Sequence, residues 1–447
     1  MASPRRRPGR PAPVPALLTA LALAWTSACG LPGGDGPESP DAGPASYEPA
    51  PGGEEWTPCP LTGMERRECR GVTVPVGGDG HETLRLALSR LPARDPGRRI
   101  GALVLAPGGP GLSGLQEAVS AGVDYPRALR DRFDIVGYDR RGTGRSHRVD
   151  CGEPAGALDR LGTARSLRLV RDVTAVDAAA RDYVEGCRIS YGPLLARLGS
   201  RAGATDLERV RRALGEERIS LLLHSYATVA GQVYLSRHPE RVRAAVFDGV
   251  VDPDRRGTSY VLRTLHTRQE LDDEHVPEPV PGAASKAVPP DVRAAFDELD
   301  PGPPPLALFL GVHCTDFRWP GNLRALLREL DDAHEARWRT RTVARDYAPC
   351  VHWPGRGEPL GAVRPGAGEG DHGAADGADL LLVNSEDDIR TPAAGAERVA
   401  MRFRAPLLTV PGGRHGLVGF GNECAERAAV DHLTARPAAE PDAGNGC

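Results

Sequence analysis

An α/β fold, a mostly parallel sheet flanked by helices, is what the 447-residue chain predicts. Three observations carry it: short apolar runs typical of strands buried on both faces, helical patterns between them, and polar clusters placed directly after several of the runs. Thr83 to Leu91 alternates, with Leu84, Leu86 and Leu88 on one face, and reads as a half-buried strand. Ile100 to Leu105, Ile135 to Val136, Ile219 to Leu223, Ala244 to Phe247, Leu380 to Val383 and Leu407 to Val410 make up the buried series. Ahead of the Ile219 run, Thr205-Asp206-Leu207-Glu208 has the pattern of a capping box, opening a helix that Gly215 stops. The interval from Val251 to Leu380 is too long for a crossover and predicts an inserted cap domain. Few compact pieces are expected in it, because 276–305 and 354–379 are rich in Pro and Gly. The core is thus expected over 56–253 and 380–447, with the cap over 254–379.

Hydrophobic residues at 40% and charged residues at 26% are ordinary globular usage, which excludes fibrous and wholly disordered classes. A net charge of −4 leaves no basic footprint for nucleic acid. Residues 1–29 read as an export signal: Arg5, Arg6, Arg7 and Arg10 precede an apolar run, Ala16 to Trp25, too short to span a bilayer. Thr26-Ser27-Ala28-Cys29-Gly30 permits two outcomes, lipidation of Cys29 or cleavage after Ala28. Residues 30–55, rich in Pro, Gly and acid, read as a disordered tether. Of the nine cysteines, setting Cys29 aside leaves an even set, the mark of disulfides in an exported chain, and lipidation accounts for the odd one. Nearest-neighbour pairing closes short loops and gives Cys59–Cys69, Cys151–Cys187, Cys314–Cys350 and Cys424–Cys447. With no C-x-x-C and no H-E-x-x-H, a metal site is not expected. The implied location is extracellular, with membrane contact only through a lipid on Cys29.

Ser225 follows the Ile219 run and precedes a helical segment, the place of a nucleophile elbow. Such a turn needs small residues two before and two after the serine, because strand and helix backbones approach closely there. Leu223-His224-Ser225-Tyr226-Ala227 meets that need at Ala227 but not at Leu223, and taken alone it reads as a serine in a strand-end turn. Its company changes the reading. Leu380 to Val383 ends in Asn384-Ser385-Glu386-Asp387-Asp388, and Leu407 to Val410 is followed by Pro411-Gly412-Gly413-Arg414-His415-Gly416. Serine, acid and histidine thus occur in the chain order of the α/β-hydrolase triad, each after a strand. His415 would take the Ser225 proton, and Glu386, Asp387 and Asp388 compete for the acid. His372 precedes the acid strand and breaks the order. Pro107 to Gly114 suits an oxyanion loop, with N–H groups of Gly109 or its neighbour and of Tyr226 as donors. Gly109, Gly111 and Gly114 also match G-x-G-x-x-G, with Asp134 twenty residues beyond Gly114, a dinucleotide fingerprint. Pro110 removes a donor and an exported chain meets few dinucleotides, so no cofactor is expected.

PGGPGLSG (107–114), FDIVGYDRRGTGRS (133–146), DLERVRRALGEERISLLLHSYAT (206–228), VFDGVVDP (246–253), HCTDF (313–317), CVHWP (350–354), DDIRTP (387–392), GGRHG (412–416) and GNEC (421–424) together resemble the actinobacterial tripeptidyl aminopeptidases, secreted α/β hydrolases related to the prolyl iminopeptidases. The resemblance covers the chain from about Trp56 onward, and it selects Asp388 as the acid, giving Ser225, Asp388 and His415. It implies removal of short peptides from substrates with a free N-terminus, through an acyl-enzyme and without metal. This chain departs from the family in carrying Leu223 and Ala227 where the elbow is G-x-S-Y-G, and in a shorter insertion. Related enzymes hold the substrate amine with acidic cap residues; Glu270, Asp272, Asp273 and Glu274 are available, although a solvated helix face is their ordinary reading. Two alternatives stand beside the peptidase: a degenerate hydrolase retained as a peptide-binding lipoprotein, and an esterase using the same triad.

Overall fold

The computed structural model describes residues 54–435, apart from 61–65, 78–80, 123, 155, 164–169, 171, 254–255, 263–298, 300–303, 333–336, 356–359, 361–362 and 364–378. Cys29, Cys447, His372, the acidic residues 270–274, the export signal and nearly all of the tether lie outside them.

A nine-stranded sheet runs in the order β1-β2-β3-β5-β4-β6-β7-β8-β9. Its strands are β1 (Thr57–Pro58), β2 (Glu68–Pro75), β3 (Thr83–Leu91), β4 (Gly101–Ala106), β5 (Phe133–Tyr138), β6 (Ile219–His224), β7 (Val242–Asp248), β8 (Leu380–Ser385) and β9 (Leu407–Val410). β1, β2 and β3 are antiparallel to their neighbours and β3 is antiparallel to β5; from β5 to β9 every pair is parallel. β4, β5, β6 and β8 are buried at every residue and β7 at all but Arg243, as expected of strands covered on both faces. In β3 the predicted face Leu84, Leu86 and Leu88 is buried, but Ala87 and Ser89 are buried too. Ala87 packs with Leu115 and Val119, so the strand is covered on both sides rather than half-exposed. β1 and β2 were not expected. Val72 and Val74 alternate in β2, but Arg70 and Gly71 interrupt the pattern before a period shows.

The α-helices that position the site and the core are α1 (Gly114–Ala121), α2 (Arg127–Arg132), α3 (Asp159–Thr163), α4 (Val173–Tyr191), α5 (Ser200–Leu214), α6 (Ala227–Arg237), α7 (Leu306–Asp316), α8 (Leu323–Asp331), α9 (Arg337–Tyr347), α10 (Ala393–Phe403) and α11 (Glu423–Thr434). The predicted capping box is overturned: α5 starts at Ser200, so Thr205 lies inside it, its hydroxyl donating to Arg201 O (3.2 Å). Asp206 is instead spent on an ion pair with Arg141, with Nε and Nη2 donating at 2.7 and 2.6 Å and both side chains almost fully buried. The helix does stop at Gly215, in the left-handed conformation at φ 72°.

The insertion holds more structure than its Pro and Gly content suggested. α7, α8 and α9 pack through Leu308, Val312, Leu326, Leu330 and Tyr347 as part of the main core, and a disulfide joins Cys314 on α7 to Cys350. Cys59–Cys69 and Cys151–Cys187 are also joined, whereas the Cys424–Cys447 pairing reaches outside the described residues.

Candidate active site

Ser225 sits between β6 and α6 with φ 52°, a left-handed conformation that a side chain adopts only when its surroundings over-determine it. Two contacts hold it there. Its N–H donates to Asp248 O (2.8 Å) at the end of β7, and the backbone at Gly108 presses against it from the loop after β4. A Cβ at Gly108 would lie 2.4 Å from Ser225 Cβ, 2.7 Å from its Oγ and 3.0 Å from Tyr226 N, so only glycine fits. The 107–114 loop therefore lies against the serine and the first backbone N–H of the elbow helix.

Leu223, the residue that departs from the elbow pattern, is buried and fills space left by another glycine. A Cβ on Gly231, in the second turn of α6, would come within 2.4 Å of Leu223 Cδ1 and 2.6 Å of Phe247 Cζ. The small residue needed for the close strand-to-helix approach has moved from the strand into the helix. Gly231→Ala should accordingly destabilise the fold by about 1–3 kcal/mol through overpacking, and adding Leu223→Ala should restore part of that loss, both read from urea unfolding. Additive losses would refute the exchange.

Asp388 is buried beyond the end of β8. Its Oδ1 accepts the N–H groups of Arg390 (2.8 Å) and Thr391 (3.0 Å), and its Oδ2 accepts the Thr391 hydroxyl (2.7 Å). That same Oδ2 faces His415 Nδ1 at 2.8 Å. An ionised carboxylate only accepts, so the proton of this bond belongs to Nδ1, which leaves Nε2 as the lone-pair nitrogen. Of the three competing acids, Glu386 and Asp387 are exposed and Asp388 alone meets the histidine among the described residues. Ser225 and His415 both line one cavity of about 530 Å³. Leu112, Tyr260, Phe309 and Phe420 give it apolar and aromatic walls, and Tyr226, Gly108 and Gly109 line it beside the serine.

Asp134 does not reach this end of the sheet. It pairs in register with Ala102 at the opposite end of the parallel strands, where Ala93 N–H (2.9 Å) and Arg99 Nη2 (2.9 Å) donate to it, so it has a structural partner set and no approach to the glycine loop.

Sequence reasoning passed over several neighbours. Asp248 Oδ2 accepts the N–H groups of Leu417 (2.7 Å) and Val418 (2.8 Å), tying the loop that carries His415 to the strand beside the elbow. His224, next to Ser225, has Nδ1 3.2 Å from the same Oδ2. Burial alone would lower the His224 pKa, but the Asp248 and Glu117 carboxylates outweigh it and raise it. His313, on α7, lines the cavity with Nδ1 2.8 Å from the Tyr347 hydroxyl; burial, helped by Arg140, pushes its pKa down to about 3, so it is neutral. Asp248 and His313 lie in VFDGVVDP and HCTDF and His224 in the elbow pentapeptide, but nothing in the spacing said what they face.

A sheet of this order with a serine at the β6–α6 turn and a histidine–aspartate pair after β8 and β9 defines an α/β hydrolase. A family profile described as "alpha/beta hydrolase fold" matches residues 101–272, and one described as "TAP-like protein" matches 336–447. The chain is thus similar to the tripeptidyl aminopeptidases within that fold. It is 27% identical to the tripeptidyl aminopeptidase of Streptomyces coelicolor over 467 residues, covering 87% of this chain and 85% of that one. It is 36% identical to the serine protease Hip1 of Mycobacterium tuberculosis over 210 residues, 45% of this chain, so that it spans about 40% of that relative's length. It is 33% identical to carboxylesterase B of Mycobacterium tuberculosis over 232 residues, 48% of this chain and 43% of that protein. Among solved structures, the proline iminopeptidase-related protein of Thermus thermophilus aligns over 82% of this chain and 97% of its own with a TM-score of 0.38 and 20% identity.

Proposed function

We propose that the protein is an exported serine hydrolase acting as an aminopeptidase, releasing short peptides from free N-termini through an acyl-enzyme. The observation that carries this reading is the 2.8 Å Asp388–His415 bond at the cavity onto which the strained Ser225 opens. In this reading Ser225 Oγ attacks the scissile carbonyl while His415 Nε2 takes its proton. Asp388 fixes the imidazole tautomer and stabilises the imidazolium that forms. The N–H groups of Gly109 and Tyr226 receive the oxyanion, each donor typically worth roughly 2.7–4 kcal/mol. His415 then protonates the leaving amine, and water, deprotonated by the same nitrogen, releases the acyl group. No step requires a metal or a cofactor. The three disulfides support a working place in an oxidising compartment, in keeping with an export signal over 1–29, and lipidation at Cys29 would keep the enzyme on the outer membrane face.

The esterase reading has one observation in its favour, the largely apolar and aromatic cavity wall. Labelling with a fluorophosphonate probe, followed by a comparison of peptide amides with simple esters, tests both. Stoichiometric labelling that Ser225→Ala and His415→Ala abolish, with turnover of free-amine peptide amides, is the expected result. Turnover of esters alone would replace the peptidase with the esterase, and absence of labelling in folded protein would remove the hydrolase.

A further inference from the structure

The cavity wall beside Ser225 carries charge that the triad does not use. Glu117, on α1 of the core, has a side chain 14% exposed and is the one carboxylate among the described residues lining the cavity. The Tyr125 hydroxyl donates to Glu117 Oε1 and lies 2.9 Å from His224 Nε2; that nitrogen is 3.8 Å from Glu117 Oε1, and His224 Nδ1 is 3.2 Å from Asp248 Oδ2. The proton inventory of this chain is restrictive. Tyr125 has one proton, and burial followed by Glu117 keeps it on the oxygen by raising its pKa well above 10. If that proton goes to Glu117, the contact between Tyr125 and His224 must use a proton on His224 Nε2. His224 Nδ1 lies 3.2 Å from Asp248 Oδ2 without a hydrogen bond, and, against its burial, the two carboxylates raise the ring's pKa, which favours the imidazolium. One cation thus stands between two carboxylates, so the Glu117–His224–Asp248 cluster, not the cavity lining as a whole, carries an excess of one negative charge. No hydrogen bond engages Glu117 Oε2 among the described residues, and Arg390, which with Glu117 and His224 makes up the charged lining of the cavity, is exposed and follows β8. Excess charge at a partly buried wall is unfavourable until a cation meets it.

We propose that Glu117 is the anchor for the α-ammonium group of the substrate. The assignment rests on the aminopeptidase reading and supplies its specificity from the core helix that follows the 107–114 loop, not from the cap. A primary ammonium brings three donors, one of which meets Oε2. Tyr125, with His224 behind it, holds the carboxylate in place and joins the amine site to the end of β6, the residue before Ser225. An acetylated N-terminus has neither the charge nor the donors and leaves Glu117 unpaired.

The test compares a peptidyl 7-amido-4-methylcoumarin bearing a free amine with its N-acetyl twin, in wild type, Glu117→Gln and Glu117→Asp. Gln keeps an oxygen to accept the Tyr125 proton, removes the charge and puts an NH₂ donor where Oε2 would accept the ammonium. The readout is the ratio of kcat/KM for the two substrates, which cancels changes in folded fraction and in serine reactivity. Wild type should favour the free amine, and Glu117→Gln should lower that ratio on the order of 10²-fold. Glu117→Asp, which keeps the charge, should retain part of the preference. A wild-type preference that Glu117→Gln leaves intact overturns the Glu117 assignment alone. Fluorophosphonate-reactive wild type that hydrolyses neither amide, or hydrolyses both equally, overturns the aminopeptidase reading and this assignment with it.

Discussion

Ser225→Ala and His415→Ala should each lower kcat by about 10⁶-fold, and the double variant should fall no further. The serine is a poor nucleophile without a base, and the base has no catalytic task without the serine, so each removal disables the same step. Asp388→Asn should cost less, about 10⁴-fold. Its carboxylate does not touch substrate; it holds Nδ1–H of His415 at 2.8 Å and is held by Thr391 in turn. An amide at 388 can present its NH₂ to Nδ1, which stabilises the tautomer with the proton on Nε2 and leaves no lone pair for the serine. Single-turnover rates on a substrate that the wild type cleaves measure all four variants. Additive losses for Ser225 and His415 would mean that the two do not act in one step.

Asp206→Ala should destabilise the fold by about 3–5 kcal/mol. Arg141 and Asp206 are among the most deeply buried charges in the core, at 2% and 1% side-chain exposure, and they meet bidentately. Removing the carboxylate leaves the guanidinium with only the carbonyls of Pro75 (3.0 Å), Val76 (3.3 Å) and Arg197 (3.4 Å). Desolvation of that charge, not loss of the attraction itself, sets the cost. Arg141→Met with Asp206→Leu should therefore be far milder than Asp206→Ala alone. Urea denaturation of the three proteins decides it, and a single variant within 1 kcal/mol of wild type would contradict the argument.

The parallel strands were legible because burial on both faces leaves no choice but apolar residues, and the Leu380 and Leu407 runs betray themselves even far from the others. The capping box was misread for an instructive reason. Thr205 and Glu208 fit the local pattern, but Asp206 answers to Arg141, 65 positions away, and local spacing carries no trace of that partner. At the elbow, Leu223 looked too large because the pattern places its small residue in the strand; the compensating glycine at 231 lies beyond the motif's reach. The acid could not be chosen among 386–388 by residue type, since burial and a partner distinguish Asp388, and only the family likeness singled it out. β2 escaped because two of its eight residues break the alternation.

Asp316, the last residue of α7, is buried and receives the Ser200 N–H (2.7 Å), the Ser200 hydroxyl (2.6 Å) and the Tyr226 hydroxyl (3.1 Å). The inserted segment is therefore fastened, through one carboxylate, to the start of α5 and to Tyr226, the residue after Ser225. An element so fastened cannot swing as a door without stripping a buried anion of its donors. At this end it is masonry, and among the described lining it is at Leu112 and Phe420, 48% and 40% exposed, that large apolar side chains of the cavity reach solvent.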